Sequence, residues 1–287
     1  MTQSDRFRFL RRRGGDGESW HAVQLARHDD RPYTLDYLGR MCDDFLELHG
    51  DRAEADDHAI VAGIGSFRGR SVAFVGHQKG RHDLADRTFR NFGMPSPEGY
   101  RKAIRVFRLA DRLGFPVVTL IDTPGASPVL GAEERGQSGA IARSQLALMG
   151  LRVPVVAVVI GEGSSGGALA IGVADRVLMQ QNAVYTVISP EGCASILWKD
   201  PGQARRAAEA LRPTADACLA LGVVDAIVPE PSGGAHRDAG RAAELLGEAI
   251  QTELDVLIAI PPTERRRLRR EKFRQMGAFL EGPAPAA

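Results

Sequence analysis

Two glycine-rich segments of this 287-residue chain have the make-up of anion-binding turns. Asp122-Thr123-Pro124-Gly125-Ala126 follows the apolar run Pro116–Ile121. Gly161-Glu162-Gly163-Ser164-Ser165-Gly166-Gly167-Ala168 follows Val153–Ile160. In each, a strand-like run gives way to glycines and then to a helical segment. Such a junction leaves backbone N–H groups free, and the helix N-terminus adds partial positive charge. It suits a phosphate or an oxyanion. The plainer reading is that glycine only permits a tight turn; two such loops after two buried strands weigh against it. No GxxxxGK[ST] phosphate loop occurs. GxGxxG does occur, at Gly161–Gly166, but Asp175 follows its last glycine too soon for a dinucleotide site. GxSxG also occurs, at Gly163–Gly167, with Asp225 and His236 following in hydrolase order. That order makes Ser165 a candidate nucleophile, His236 its base and Asp225 the orienting acid. Against it, GxSxG arises easily among glycines, and His236 ends a turn-like PSGGAH stretch. Lys79, one of four lysines among 37 basic residues, suits a point-charge phosphate contact; a solvated loop lysine is the plainer reading. Cys193 reads as a small buried residue.

The elements that must position these residues read as α/β. Thr34 can cap a helix running to about His49, with Leu38, Met41, Phe45 and Leu48 on one face and Gly50 as its stop. Ala59–Phe67 and Ser71–His77 flank Arg68-Gly69-Arg70 as a hairpin. Ser96-Pro97 opens a helix that Gly114 closes. The continuous apolar runs 116–121 and 153–160 suit strands buried on both faces of a parallel sheet. Val177–Met179, Tyr185–Ile188 and Val223–Val228 are shorter strands; 203–221 and 239–259 are helical. Residues 1–19 are polar and rich in Arg and Gly and are expected to be poorly ordered. A main domain spans 20–260. A basic helix and a Pro/Ala tail occupy 261–287, with Glu264–Arg274 solvated or partner-facing.

Composition sets the class: 44% hydrophobic, 25% charged and a net charge of +1, which excludes a binder of nucleic acid by bulk charge. Three scattered cysteines provide neither a disulfide framework nor a zinc motif. No signal peptide or membrane-spanning run is legible, so the cytoplasm is the expected compartment.

Several long strings resemble one family. They are Arg31–Tyr37 (RPYTLDY), Gly76–Arg81 (GHQKGR), Arg90–Ala103 (RNFGMPSPEGYRKA), Gly131–Ser138 (GAEERGQS) and Val187–Lys199 (VISPEGCASILWK). Over about residues 20–235 the chain resembles the carboxyltransferase alpha subunit of multi-subunit bacterial acetyl-CoA carboxylase. The resemblance implies a crotonase-like (Clp protease/crotonase) spiral of repeated ββα units. It implies transfer of a carboxyl group from carboxybiotin, borne on a carrier protein, to acetyl-CoA, giving malonyl-CoA for fatty acid synthesis. It further implies a zinc-bearing beta subunit in an α2β2 assembly, with biotin carboxylase in the larger complex and no metal in this chain. Carried over residue by residue, Gly166 and Gly167 form a backbone oxyanion hole for biotin, with Gly125 and Ala126 on the other side. Lys79, Ser127, Gly163 and Ser165 then line the substrate. The chain departs from the family's GAYPG at Ser127 and Val129, and most of the family's N-terminal helical extension is absent. These departures leave a paralogue acting on another acyl-CoA as the alternative, alongside the Ser165/Asp225/His236 hydrolase.

Overall fold

The computed structural model describes residues 17–81 and 83–277. The segment expected to be disordered lies outside the described residues up to residue 16, as does the Pro/Ala tail beyond 277; Glu18 already opens a helix, Glu18–Ala26. Eight strands among the described residues form one mixed sheet. They are β1 Asp44–Glu47, β2 Ile60–Phe67, β3 Arg70–His77, β4 Val117–Thr123, β5 Val155–Ser164, β6 Arg176–Gln180, β7 Val184–Thr186 and β8 Ala226–Val228. Their order is β1-β2-β3-β4-β5-β6-β8, with β7 paired to the far end of β5. The first three are antiparallel, and β3 onward run parallel.

The hairpin forms where expected. Arg68 and Gly69 both take positive φ (48° and 79°), the turn whose twist matches the flanking strands. Alternation in the apolar runs explains the layers. Val155, Ala157 and Val159 face a core with Ala103, Val106 and Phe107 of helix Pro97–Leu113. Val156, Val158 and Ile160 face the opposite core, with Leu246, Ile250 and Leu254 of helix Ala239–Ile258. Both faces are covered, so the strands carry no polar alternation until their ends.

Three expectations are corrected. The helix from Thr34 ends at Met41, not near His49; Cys42 turns extended, and Asp44–Glu47 pairs with β2 as an edge strand. Residues 203–221 form two helices, Ala204–Leu211 and Ala215–Leu221, because Pro213 cannot continue the first. The C-terminal helix, Pro262–Arg274, is solvated on one face only. On the other, Arg269 is fully buried, and its Nε and Nη2 donate to the Asp175 carboxylate at 2.8 and 2.6 Å. Its guanidinium also donates to the carbonyls of Leu148, Leu151 and Val153.

Breaking this buried pair leaves an uncompensated carboxylate. Arg269→Met is expected to lower the unfolding free energy by about 3–5 kcal/mol, read as a drop in the urea midpoint at unchanged slope. A loss within about 0.5 kcal/mol, the surface norm, would show that the helix is not docked.

Candidate active site

The site begins where β4 and β5 end. Thr123 Oγ1 accepts the Gly125 N–H at 3.0 Å and donates to the Gly125 carbonyl at 2.6 Å, folding the chain tightly after the strand. Gly125 takes φ +151°, which favours glycine. β5 runs further than its apolar stretch, through Ser164, before helix Ser165–Leu169 starts. Ser165 opens that helix at φ 55°, a strained conformation for a residue with a side chain. Gly167 is buried, and a Cβ on it would lie 2.6 Å from both Gly125 C and Ala126 N. The two junctions therefore meet backbone to backbone. Gly166 has room: its nearest neighbour would be Ile141, at 3.6 Å. The N–H groups of Gly166 and Gly167 lie in the first turn, where no carbonyl of the helix can accept them.

Beneath this junction lies an ion network. Lys79, just past β3, places its Nζ 2.7 Å from Asp122 Oδ1 and 2.8 Å from Glu162 Oε2. Arg27 donates from Nε to Glu162 Oε1 at 2.6 Å and from Nη1 to Glu191 at 2.7 Å. The Glu162 N–H donates to Asp122 Oδ1 at 2.9 Å. Burial disfavours the Glu162 carboxylate, but Lys79 and Arg27 outweigh it and hold its pKa at about 2. Burial likewise works against the Lys79 ammonium, and Asp122 and Glu162 reverse it, raising its pKa. For Asp122 burial wins, and its carboxyl is pushed up. Burial and the Lys79 charge drive His77 down to about 3, so it is neutral; its Nδ1 accepts the Asp122 N–H at 3.3 Å. A cavity of about 170 Å³ opens beside the network, lined by Arg27, Tyr33, Lys79, Phe92, Pro124 and Glu162, among others.

Comparison with known proteins places the chain. Residues 15–277 match the family model described as acetyl co-enzyme A carboxylase carboxyltransferase-like. The acetyl-coenzyme A carboxylase carboxyl transferase subunit alpha of Geobacter sulfurreducens is 56% identical over 263 residues, 92% of this chain and 82% of the relative. The Aquifex aeolicus subunit of the same name is 56% identical over 264 residues, 92% of this chain and 81% of its own. The chain belongs to the acetyl-CoA carboxylase carboxyltransferase alpha-subunit family. Solved structures agree on the fold. The Pseudomonas malonate decarboxylase hetero-dimer matches at TM-score 0.63 and 15% identity, over 84% of this chain and 98% of the matched one. Transcarboxylase 12S matches at TM-score 0.61 and 21% identity, over 82% of this chain and 45% of that one. The fold is thus the crotonase-like α/β fold.

Against this frame the expected site residues divide. Gly125, Ala126, Gly166 and Gly167 come together at the junction. Lys79 is not a free phosphate contact: two carboxylates hold its ammonium. Gly163 lies inside β5, opposite Thr123, and a Cβ there would meet the Tyr185 ring at 2.8 Å, so it packs rather than binds. Ser127 is buried, and among the described residues its hydroxyl has no partner. Val129 takes φ −75°, which any residue adopts, so the departure there imposes no strain. Ser165 is exposed, but no triad forms around it. Asp225 is held by the Val177 N–H and Lys272 beside the start of β6, level with Ala157 of β5. That is roughly 25 Å along the strand from Ser165, at about 3.3 Å per residue. His236 stacks on His28 at 4.0 Å. Sequence reasoning missed Asp122 and Glu162 as partners of Lys79, and Arg27 as the second cation on Glu162. The legible signal was a carboxylate closing each fully buried apolar run, with a lysine after the neighbouring strand.

Two predictions follow from this packing. Gly167→Ala drives a Cβ into backbone and is expected to destabilise by about 1–3 kcal/mol, whereas Gly166→Ala is neutral or stabilising by up to about 1 kcal/mol; chemical denaturation of both variants checks the contrast. Glu162, with its pKa depressed on folding, contributes stability that is full above about 4.5 and is lost as pH falls through about 2. Lys79→Met strands both carboxylates and costs about 3–5 kcal/mol at pH 7. Protonation relieves them, so the deficit relative to the parent protein shrinks between pH 7 and 4; a pH-independent deficit would contradict the network.

Proposed function

We propose that this chain is the alpha half of a biotin-dependent carboxyltransferase, moving a carboxyl group from carboxybiotin on a carrier protein to acetyl-CoA to give malonyl-CoA. The observation that carries the reading is the meeting of two strand ends, Gly167 against the Gly125–Ala126 peptide. It concentrates backbone donors at one point without a titrating side chain among them. That donor set fits the biotin ureido group, which supplies the carboxyl and an oxygen where negative charge develops. The Gly166 and Gly167 N–H groups hold and orient that oxygen, and one such donor is worth roughly 3–4 kcal/mol in the transition state. Gly125 and Ala126 form the facing wall, with Ser165 at the mouth.

Exposed apolar side chains follow both junctions in the chain: Val129 (56% exposed) and Leu130 (74%) after the first, Leu169 (45%) after the second. They support a partner that closes the site, a zinc-bearing beta subunit in an α2β2 assembly holding most of the acetyl-CoA. The biotin carrier protein and biotin carboxylase complete the larger complex. Among the described residues no helix is long and apolar enough to cross a membrane, and the cytoplasm is the proposed compartment.

Reconstitution tests the reading. Malonyl-CoA-dependent carboxylation of biotin should be absent with this chain alone and appear when a beta subunit is added. Gly166→Val keeps the N–H but sets a branched side chain beside it, and by displacing the substrate should lower kcat by about 10²-fold while unfolding normally. Turnover by the isolated chain would overturn the proposal, and turnover of a different acyl-CoA in place of malonyl-CoA would redirect it to a paralogue.

A further inference from the structure

Helix Pro97–Leu113 presents Arg101, Arg105, Arg108 and Arg112 at spacings of four, three and four, which places them on one face. This face borders a groove of about 770 Å³, with Arg52 at one end and Arg143 of helix Gln137–Gly150 across it. That volume lies in the range of small-molecule sites.

The groove's two carboxylates are already taken. Asp51 accepts Arg101 at 2.6 Å and three backbone N–H groups. Asp111 is held by Arg152. Among the described residues, Arg52, Arg105, Arg108, Arg112 and Arg143 have no carboxylate partner. Two of these cations are also drawn together. Arg52 Nη1 and Arg105 Nη2 donate to the same oxygen, the His49 carbonyl, at 2.8 and 3.0 Å. Arg105 Nε is fixed as well, by the Gly50 carbonyl at 3.1 Å. Burial and the neighbouring Arg52 pull the Arg105 pKa below its ordinary value. Arg52 holds its place with φ 63°, a left-handed conformation. Like charges fixed side by side repel, and an anion seated between them relieves that repulsion.

We propose that this groove binds the phosphate groups of a small polyphosphorylated ligand, of the size of a nucleoside diphosphate. Guanidinium groups match phosphate oxygens bidentately. Arg52 and Arg105 take one phosphate, and Arg108, Arg112 and Arg143 take its neighbour. The exposed Leu146 and the partly covered Ala147 leave apolar floor for the remainder of the ligand. A compact groove with paired cations at one end favours a small ligand over a polynucleotide. The inference stands apart from the carboxyltransferase reading, since these residues lie outside the glycine junction.

Calorimetric titration of the full chain tests it, with pyrophosphate, ADP and a single-stranded RNA oligomer as separate probes at about 0.15 M salt. Pyrophosphate or ADP should bind at one site per chain, and a tighter ADP would assign the nucleoside to the apolar floor. Arg105→Gln should weaken that binding at least tenfold. Because Arg105 also braces the 49–50 backbone, Arg108→Gln/Arg143→Gln is the second variant, expected to do the same without changing Tm. Arg270→Gln, on the outer face of the C-terminal helix, should leave affinity unchanged. Absence of binding, equal losses in all variants, or binding by the RNA alone would overturn the proposal.

Discussion

The ammonium of Lys79 between Asp122 and Glu162 is the contact on which the site's geometry rests. Lys79 lies just past β3, and Asp122 and Glu162 lie near the ends of β4 and β5. Removing such charges from water costs several kcal/mol for each ion, recovered only when the partners are held in close geometry. The three strand ends are therefore confined to positions that bring oxygen and nitrogen within 2.8 Å. The register follows from this confinement. The β4–β5 ladder shifts between Ile121 and Thr123, at the point where Asp122 turns its carboxylate toward the Glu162 N–H. Gly161 makes the room, since a Cβ there would lie 2.4 Å from Asp122 Oδ1. Gly125 lies three residues beyond Asp122, and Gly166 and Gly167 lie four and five beyond Glu162, so the network constrains how closely the two junctions approach.

The same network bears on the site's electrostatics. Asp122, Glu162 and Glu191 place three carboxyl groups near the glycine junction, where the proposed function calls for affinity for negative charge. Lys79 and Arg27 offset them, and Glu162 is bound on both oxygens by cations. Without those cations the carboxylates would oppose the partial positive charge of the Ser165–Leu169 first turn. Lys79 thus works by neutralising its own protein, which is why it has no charge to spare for a substrate phosphate.

Much of the fold was legible because both faces of the central strands are buried. Runs such as 153–160 have no polar residue to mislead, and the hairpin and helix Pro97–Leu113 carry explicit turn and cap residues. The helix expected to reach His49 shows the limit. Leu38 and Met41 belong to a helix while Phe45 lies in a strand, yet their spacings mimic one helical stripe. Pairing of Asp44–Glu47 with β2 decided the outcome, and that contact is invisible to local periodicity. The C-terminal helix failed for a related reason. Seven basic residues read as solvated, but a guanidinium supplied with a carboxylate and three carbonyls can be fully buried, as Arg269 is. At the site, the glycines were legible as backbone donors. The ion network was not, because its members are dispersed from Arg27 to Glu191 and meet only once the strands are ordered.

The chemistry left to this chain follows from what the junction contains. His77 lies at the end of β3 and hydrogen-bonds the Asp122 N–H, but a pKa near 3 makes it a poor proton acceptor at neutral pH. Ser165 is exposed and, among the described residues, has no histidine hydrogen-bonded to it, and the nearby carboxylates are bound to cations. What remains is a fixed set of N–H dipoles against a wall of backbone. Such a site can lower the energy of an oxygen that gains charge, but it cannot remove a proton from a carbon acid. A reaction served by it must bring its own base. Carboxyl transfer from biotin meets that condition, because the ring nitrogen that releases the carboxyl group is the atom free to take the proton. The proposed chemistry therefore asks for no acid–base pair from this chain, and in that reading the placement of the N–H donors rests on how closely Gly167 approaches Gly125.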